Sequence, residues 1–146
     1  YLYAAHGDLK DFSDAFGDKA VEGVCSHGFW GLTWKTRGNQ EFIAAYRRKW
    51  KEDPNQWSLT MAGAQVMHQA IEKAGTLNSE EIKRTLLTEE FECILSRVRY
   101  VSEGGFTNLN KLAFTSVLQW QGGKLLLVYP EELAEAKFKY PIPWSK

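Results

Sequence analysis

Cys25 and His27 stand two residues apart, with Ser26 between them, in the stretch Lys19–Trp30. A thiol or hydroxyl beside an imidazole is the raw material of a nucleophile and its base. In an extended segment residues i and i+2 share a face, so Cys25 and His27 meet the first condition for such a pair. The second condition, a third group that orients the imidazole, has no evident candidate. The other histidines, His6 and His68, are scattered, and His68 falls in a helical pattern where a surface or satisfied core role suits it. No dinucleotide, phosphate-loop, nucleophile-elbow or zinc-protease motif is present. The acidic pairs Glu80-Glu81, Glu89-Glu90 and Glu131-Glu132 lie at helix starts or turns, where capping accounts for them. The chain reads as a non-enzyme with no cofactor and no metal.

The same stretch has a second possible chemistry. Its strand-like run, Ala20 to Cys25, breaks at Gly28 and is followed by Trp30 and Trp34. Strands in α/β proteins commonly end this way where they deliver side chains to a ligand crevice. Aromatic residues at a strand end are also ordinary core, and both readings stay open. Aromatic residues make up 14% of the chain, more than packing requires, which suits a stacking ligand site or an interface.

Charge narrows the partners. Eighteen basic and eighteen acidic side chains cancel, leaving no global field to attract nucleic acid or anionic lipid. The densest basic group, Arg47-Arg48-Lys49 with Lys51, falls in a helical segment beside Glu41 and Glu52 and reads as a solvated face. The two cysteines, Cys25 and Cys93, allow one bridge at most, and buried thiols are the preferred reading. No apolar run is long enough for a membrane-spanning helix. The chain opens at Tyr1 rather than Met, which is read as processing or as the interior of a longer protein.

Four helices are expected. Asp8–Gly17 carries Leu9, Phe12 and Phe16 at helical spacing, with Asp8 as N-cap and Gly17 as C-terminal glycine. Asn39–Lys51, capped by Asn39, has the stripe Phe42, Tyr46 and Trp50. Ser58–Gly75 is the most hydrophobic, with Met61 and Met67 as core and the small run Ala62-Gly63-Ala64 for close packing on a sheet. Ser79–Leu87 begins with the capping residue Asn78. The period then changes to two. Phe91–Val101 and Leu112–Gln121 alternate as strands, with a turn at Ser102–Gly105 between them. Gly122-Gly123 makes a tight hairpin turn into Lys124–Tyr129, which Pro130 stops. Glu131–Phe138 has room for a helical turn or two, and Tyr140–Trp144 is read as extended along the surface.

In this order the segments resemble the branched-chain amino acid type of ABC-transporter substrate-binding proteins, which have the type I periplasmic binding fold. The residues that carry the likeness are Phe16–Val24, Glu41–Tyr46, Ala62–Met67 with Ala70–Gly75, and Ser79–Leu86. Val117–Lys124, Val128–Ala134 and Tyr140–Trp144 complete it, so it covers nearly the whole chain. Two departures stand out. Ser96-Arg97 replaces a glycine common in the family, and the segment Ser26–Trp34 keeps the tryptophan of a family cleft segment but not its proline and glutamine.

The resemblance implies an α/β chain that forms the C-terminal portion of a two-lobe protein. Residues up to about Cys25 and from about Leu112 would belong to the second lobe, and about Asn39 to Glu90 to the first. It also implies an extracytoplasmic or periplasmic solute-binding component of an ABC importer. Such a protein would trap an amino-acid-like or aromatic carboxylate in an interlobe cleft and dock on a membrane permease. The missing N-terminal part of the same protein would be a further partner. The implied ligand contacts are Ser26, His27, Trp30 and Trp34, with Trp57 and Ser58 at a helix start that suits a carboxylate. Other classes are a ligand-sensing regulator of the same fold and a self-standing α/β interaction domain.

Overall fold

The computed structural model describes residues 6–55, 58–113 and 115–142. These fall into two compact units, one from residues 6–31 and 115–142 and the other from residues 32–55 and 58–113.

The first unit begins with two short helices, α1 (Lys10–Phe16) and α2 (Asp18–Val21), joined at Gly17. Its sheet has three antiparallel strands, β1 (Cys25–Gly28), β6 (Ser116–Gln121) and β7 (Lys124–Tyr129), with β6 in the middle. Cys25 faces Gln119 in the β1–β6 register, and Trp120 faces Leu125 across the hairpin. The hairpin turn is Gly122-Gly123 as expected, both at positive φ, which glycine adopts without strain. One face of the sheet presents Trp120, which clusters with Val21 and Val24, flanked by Phe12 and Leu125. The other face presents Gln119 and Gln121, fully or nearly fully buried although polar. What covers them is the C-terminal segment: Lys137 and Lys139 lie within hydrogen-bonding distance of the two glutamines.

Three expectations for this unit need correction. Ala20–Cys25 is not a strand: α2 winds through Val21, and extended pairing starts only at Cys25. The cause is Gly23, whose φ of +81° breaks any straight extended run through the segment. Leu9, not Asp8, is the N-cap of α1, and no side chain caps that helix. The tail does not simply lie on the surface either, because Ile142 is buried and a side chain at Gly23 would collide with it.

The second unit holds α3 (Asn39–Trp50), α4 (Leu59–Ala74) and α5 (Ser79–Thr88), then β2 (Phe91–Glu92), β3 (Arg97–Val98), β4 (Tyr100–Glu103) and β5 (Phe106–Asn110). The strands form two separate hairpins, β2–β3 and β4–β5. α4 buries Ala62, Val66 and Ala70, a stripe at four-residue spacing. Its amide side chains reach the strand that follows α5. Gln65 accepts from the Ile94 amide at 2.9 Å, and Gln69 donates to the Glu92 carbonyl at 2.7 Å. α5 is capped as the sequence indicates, the Asn78 carboxamide accepting from the Glu80 and Glu81 amides.

Here too the sequence misleads in places. The Phe91–Val101 alternation is broken into three short strands, and β5 lies between the expected turn at Ser102–Gly105 and the expected strand from Leu112. Met61 and Met67 are exposed rather than core, and Gly63 faces open space rather than a packed neighbour. Gly38, not Asn39, is the N-cap of α3.

Candidate functional site

β1 presents Ser26 and His27 because its two ends are fixed on β6. At one end Gly23 and Val24 exchange backbone hydrogen bonds with Trp120. At the other, the Ser116 hydroxyl donates to the Gly28 carbonyl at 2.7 Å. Gly28 has to be glycine: a Cβ there would lie 2.7 Å from Leu118 Cδ1. Between these anchors the Ser26 side chain is fully buried, its hydroxyl donating to the His27 carbonyl at 3.3 Å and lying 3.5 Å from Asp8 Oδ1. His27 is half-buried, with its ring edge-on to Phe29 at 4.7 Å between centroids.

Cys25 shares this strand without acquiring catalytic chemistry. Burial pushes its thiol above the ordinary 9.0, and a hydrogen bond with Gln119 offsets only part of that shift. The reactive form of cysteine is the thiolate, so a thiol held protonated is a poor nucleophile at neutral pH. Cys25 and Cys93 are both buried free thiols.

The expected contact residues divide between the units. Ser26, His27 and Trp30 belong to the first and Trp34 and Ser58 to the second. Trp30 and Trp34 are 2% and 4% exposed, so both are well packed where they stand. Trp34 is held through its backbone, its carbonyl accepting from the Asn39 side chain at 2.9 Å and from Gln40 at 3.1 Å. This explains the burial of Asn39: it secures the loop before α3 rather than capping the helix. Trp57 lies outside the described residues.

Ser58 is the N-cap residue of α4, and its amide closes a turn onto the Asn55 carbonyl at 2.9 Å. It lines a groove of about 430 Å³ with Phe42, Tyr46, Asn55, Thr60 and Met61. Phe42 and Tyr46 form its aromatic wall, one helical turn apart on α3 with rings 6.0 Å apart. Sequence reading treated these two as a packing stripe. The signal that they line a groove is three-dimensional, since it depends on where α4 starts. A larger groove, about 550 Å³, lies along α4 and includes Arg37, Gln65, His68, Glu72 and Glu92. Arg37 pairs with Glu92 at 3.1 Å, and His68 Nδ1 lies 3.3 Å from the Glu72 carboxylate. Among the described residues no three His, Cys, Asp or Glu side chains gather into a metal site. No helix among them is long and apolar enough to cross a membrane.

The fold is part of a type I periplasmic binding protein fold. A Silicibacter pomeroyi structure assigned to a branched-chain amino acid ABC transporter matches 97% of this chain and 40% of its own, with a TM-score of 0.76 and 20% identity. The leucine-binding protein of Thermotoga maritima matches 87% of this chain and 36% of its own, with a TM-score of 0.67 and 20% identity. In sequence, the chain is similar to part of proteins named as Leu/Ile/Val-binding protein homologues. It is 30% identical over 138 residues to the Leu/Ile/Val-binding protein homolog 7 of Brucella abortus, covering 91% of this chain. It is likewise 30% identical over 137 residues to homolog 8 of Brucella suis. No family model matches the chain. The chain spans about a third of the length of these curated relatives, 35% and 34%. The relatives are named as binding proteins, not enzymes.

Proposed function

We propose that this chain is part of the extracytoplasmic solute-binding component of an ABC importer, taking a small amino-acid-like or aromatic carboxylate and delivering it to a membrane permease. The observation that carries this reading is the 30% identity with Leu/Ile/Val-binding protein homologues across 91% of the chain. Local chemistry supports the ligand class. The start of α4 offers backbone amides and the positive end of a helix dipole, which favour a carboxylate. Beside it, Phe42 and Tyr46 give the groove an apolar, flat wall. Solved neighbours were crystallised with isoleucine in one case and benzoate in another, so the fold accommodates both ligand shapes.

The proposed ligand-contacting residues are Ser26, His27 and Trp30 in the first unit and Trp34, Trp57 and Ser58 in the second. Calorimetric titration of the longest natural polypeptide containing this chain, with leucine, isoleucine, valine, phenylalanine and benzoate, is the test. Saturable binding of one of these is expected. His27→Ala should then weaken that binding about tenfold, or about 1.4 kcal/mol, without moving the melting temperature. No binding of any would remove the transport reading. Binding that His27→Ala leaves unaltered would keep that reading and remove His27 from the site.

A further inference from the structure

Gln119 has the environment of a receptor residue, not of a core residue. Its side chain is 0% exposed, and its carboxamide is saturated by hydrogen bonds. Nε2 donates to the Gly23 carbonyl at 3.2 Å and the Lys139 carbonyl at 3.1 Å. Oε1 accepts from the Lys139 amide at 2.8 Å and from Gln121 Nε2 at 2.8 Å. One carboxamide therefore engages both main-chain groups of a single residue, Lys139, as a neighbouring strand would. Gln121, two residues further along β6, makes a single contact of this kind, donating to the Lys137 carbonyl at 2.9 Å. These contacts involve backbone only, so they select an extended peptide rather than a sequence.

Side-chain selectivity comes from Lys139 and Ile142. Glu22 lies 3.4 Å from the Lys139 ammonium and also accepts from the Gly122 amide at 2.6 Å. Ile142 packs against Gly23 so closely that a Cβ on that glycine would lie 1.9 Å from Ile142 Cγ2. The segment thus crosses one face of the sheet from β7, past β6, to the residues before β1. Its departure from β7 is marked by Glu135 and Ala136, whose amides donate to the Leu127 carbonyl at 2.8 and 3.2 Å.

We propose that the Gln119–Gln121 face of β6, with Gly23 and Glu22, is a peptide site that reads main chain. Residues 137–142 of the same chain occupy it in cis, and the site accepts the same segment from a second copy. An identical segment makes identical contacts in either arrangement, so the choice is one of effective concentration. The covalent link favours the cis form in dilute solution, as tethering does at millimolar effective concentrations. Impairing the cis pairing in both copies, but on opposite sides, leaves the trans pairing as the one intact combination.

The test uses two variants of this chain. Gln119→Leu has a defective site and an intact tail. Lys139→Pro has an intact site and a tail lacking the amide that donates to Gln119. Each alone should be monomeric in a native mass spectrum, and an equimolar mixture at tens of micromolar should give a heterodimer, resolved by its mass. A mixture that stays monomeric, with the far-ultraviolet circular dichroism of both variants intact, overturns the proposal. So does equal dimerisation of each variant alone, which would place the contact elsewhere. If Gln119→Leu loses its fold, Gln121→Leu takes its place, since it removes only the Lys137 contact and the link to Gln119.

Discussion

Gly28 leaves no room for a methyl group. A Cβ would sit 2.7 Å from Leu118 Cδ1 and 2.8 Å from the Ser116 oxygen that holds the Gly28 carbonyl. Gly28→Ala must move β1 away from β6 or displace Leu118, which is itself buried. Overpacking of this kind costs about 1–3 kcal/mol, and urea denaturation of the variant should show a loss in that range. A value indistinguishable from wild type would mean that β1 is free to shift. Cys25, on the same strand, gives a prediction in pH. Its folded thiol titrates above the unfolded value of 9.0 because of burial. Well below pH 9 the thiol is protonated in both states, so Cys25 adds no slope to stability there. Above that value the unfolded chain releases its proton first, so stability falls as pH rises. In Cys25→Ser, the fall in unfolding free energy from pH 8.5 to 10 should be shallower than in wild type; an unchanged slope would contradict the assigned cause.

At the scale of elements, what was legible is what is local. The three helices of the second unit follow from apolar residues at three- and four-residue spacing, and the Gly122-Gly123 turn follows from two adjacent glycines that tolerate positive φ. The cap of α5 belongs here, since Asn78 needs only the amides two and three residues ahead of it. Asn78→Ala should cost about 1 kcal/mol, read as a lower urea midpoint with unchanged slope. No loss would show that α5 is held by packing alone. What was not legible depends on remote contacts. Ala20–Cys25 alternates like a strand, yet Val21 is drawn into a helical turn under Trp120, a residue a hundred positions away. Phe91–Val101 likewise alternates, but its pairing is cut where α4's glutamines take over the Glu92 and Ile94 backbone. Asn39 reads as a cap and instead holds Trp34. Of the candidate site, the segment Ser26–Trp34 could be picked out from residue types. The groove beside Ser58 could not, because it arises from the meeting of two helices.

At the scale of the whole molecule, the feature that calls for explanation is apolar surface on the second unit. Trp50 is 56% exposed on α3, and Met61 and Met67 are exposed on α4. Isolated apolar residues at a surface are ordinary, but an aromatic ladder of Phe42, Tyr46 and Trp50 beside the exposed Met61, which shares a groove with the first two, is a face. The chain spans about a third of the length of its curated relatives. Burying it would contribute roughly 25 cal/mol for each Å² of apolar area. Exposed, it should bind a hydrophobic dye. We therefore expect this chain on its own to enhance the fluorescence of anilinonaphthalene sulfonate. Trp50→Ser with Met61→Ser should lower that signal while changing stability by no more than about 0.5 kcal/mol per site, as for surface positions elsewhere. A large loss of stability would mean that these side chains are already packed within the unit. Unchanged dye fluorescence would place the dye-binding apolar surface elsewhere on the chain.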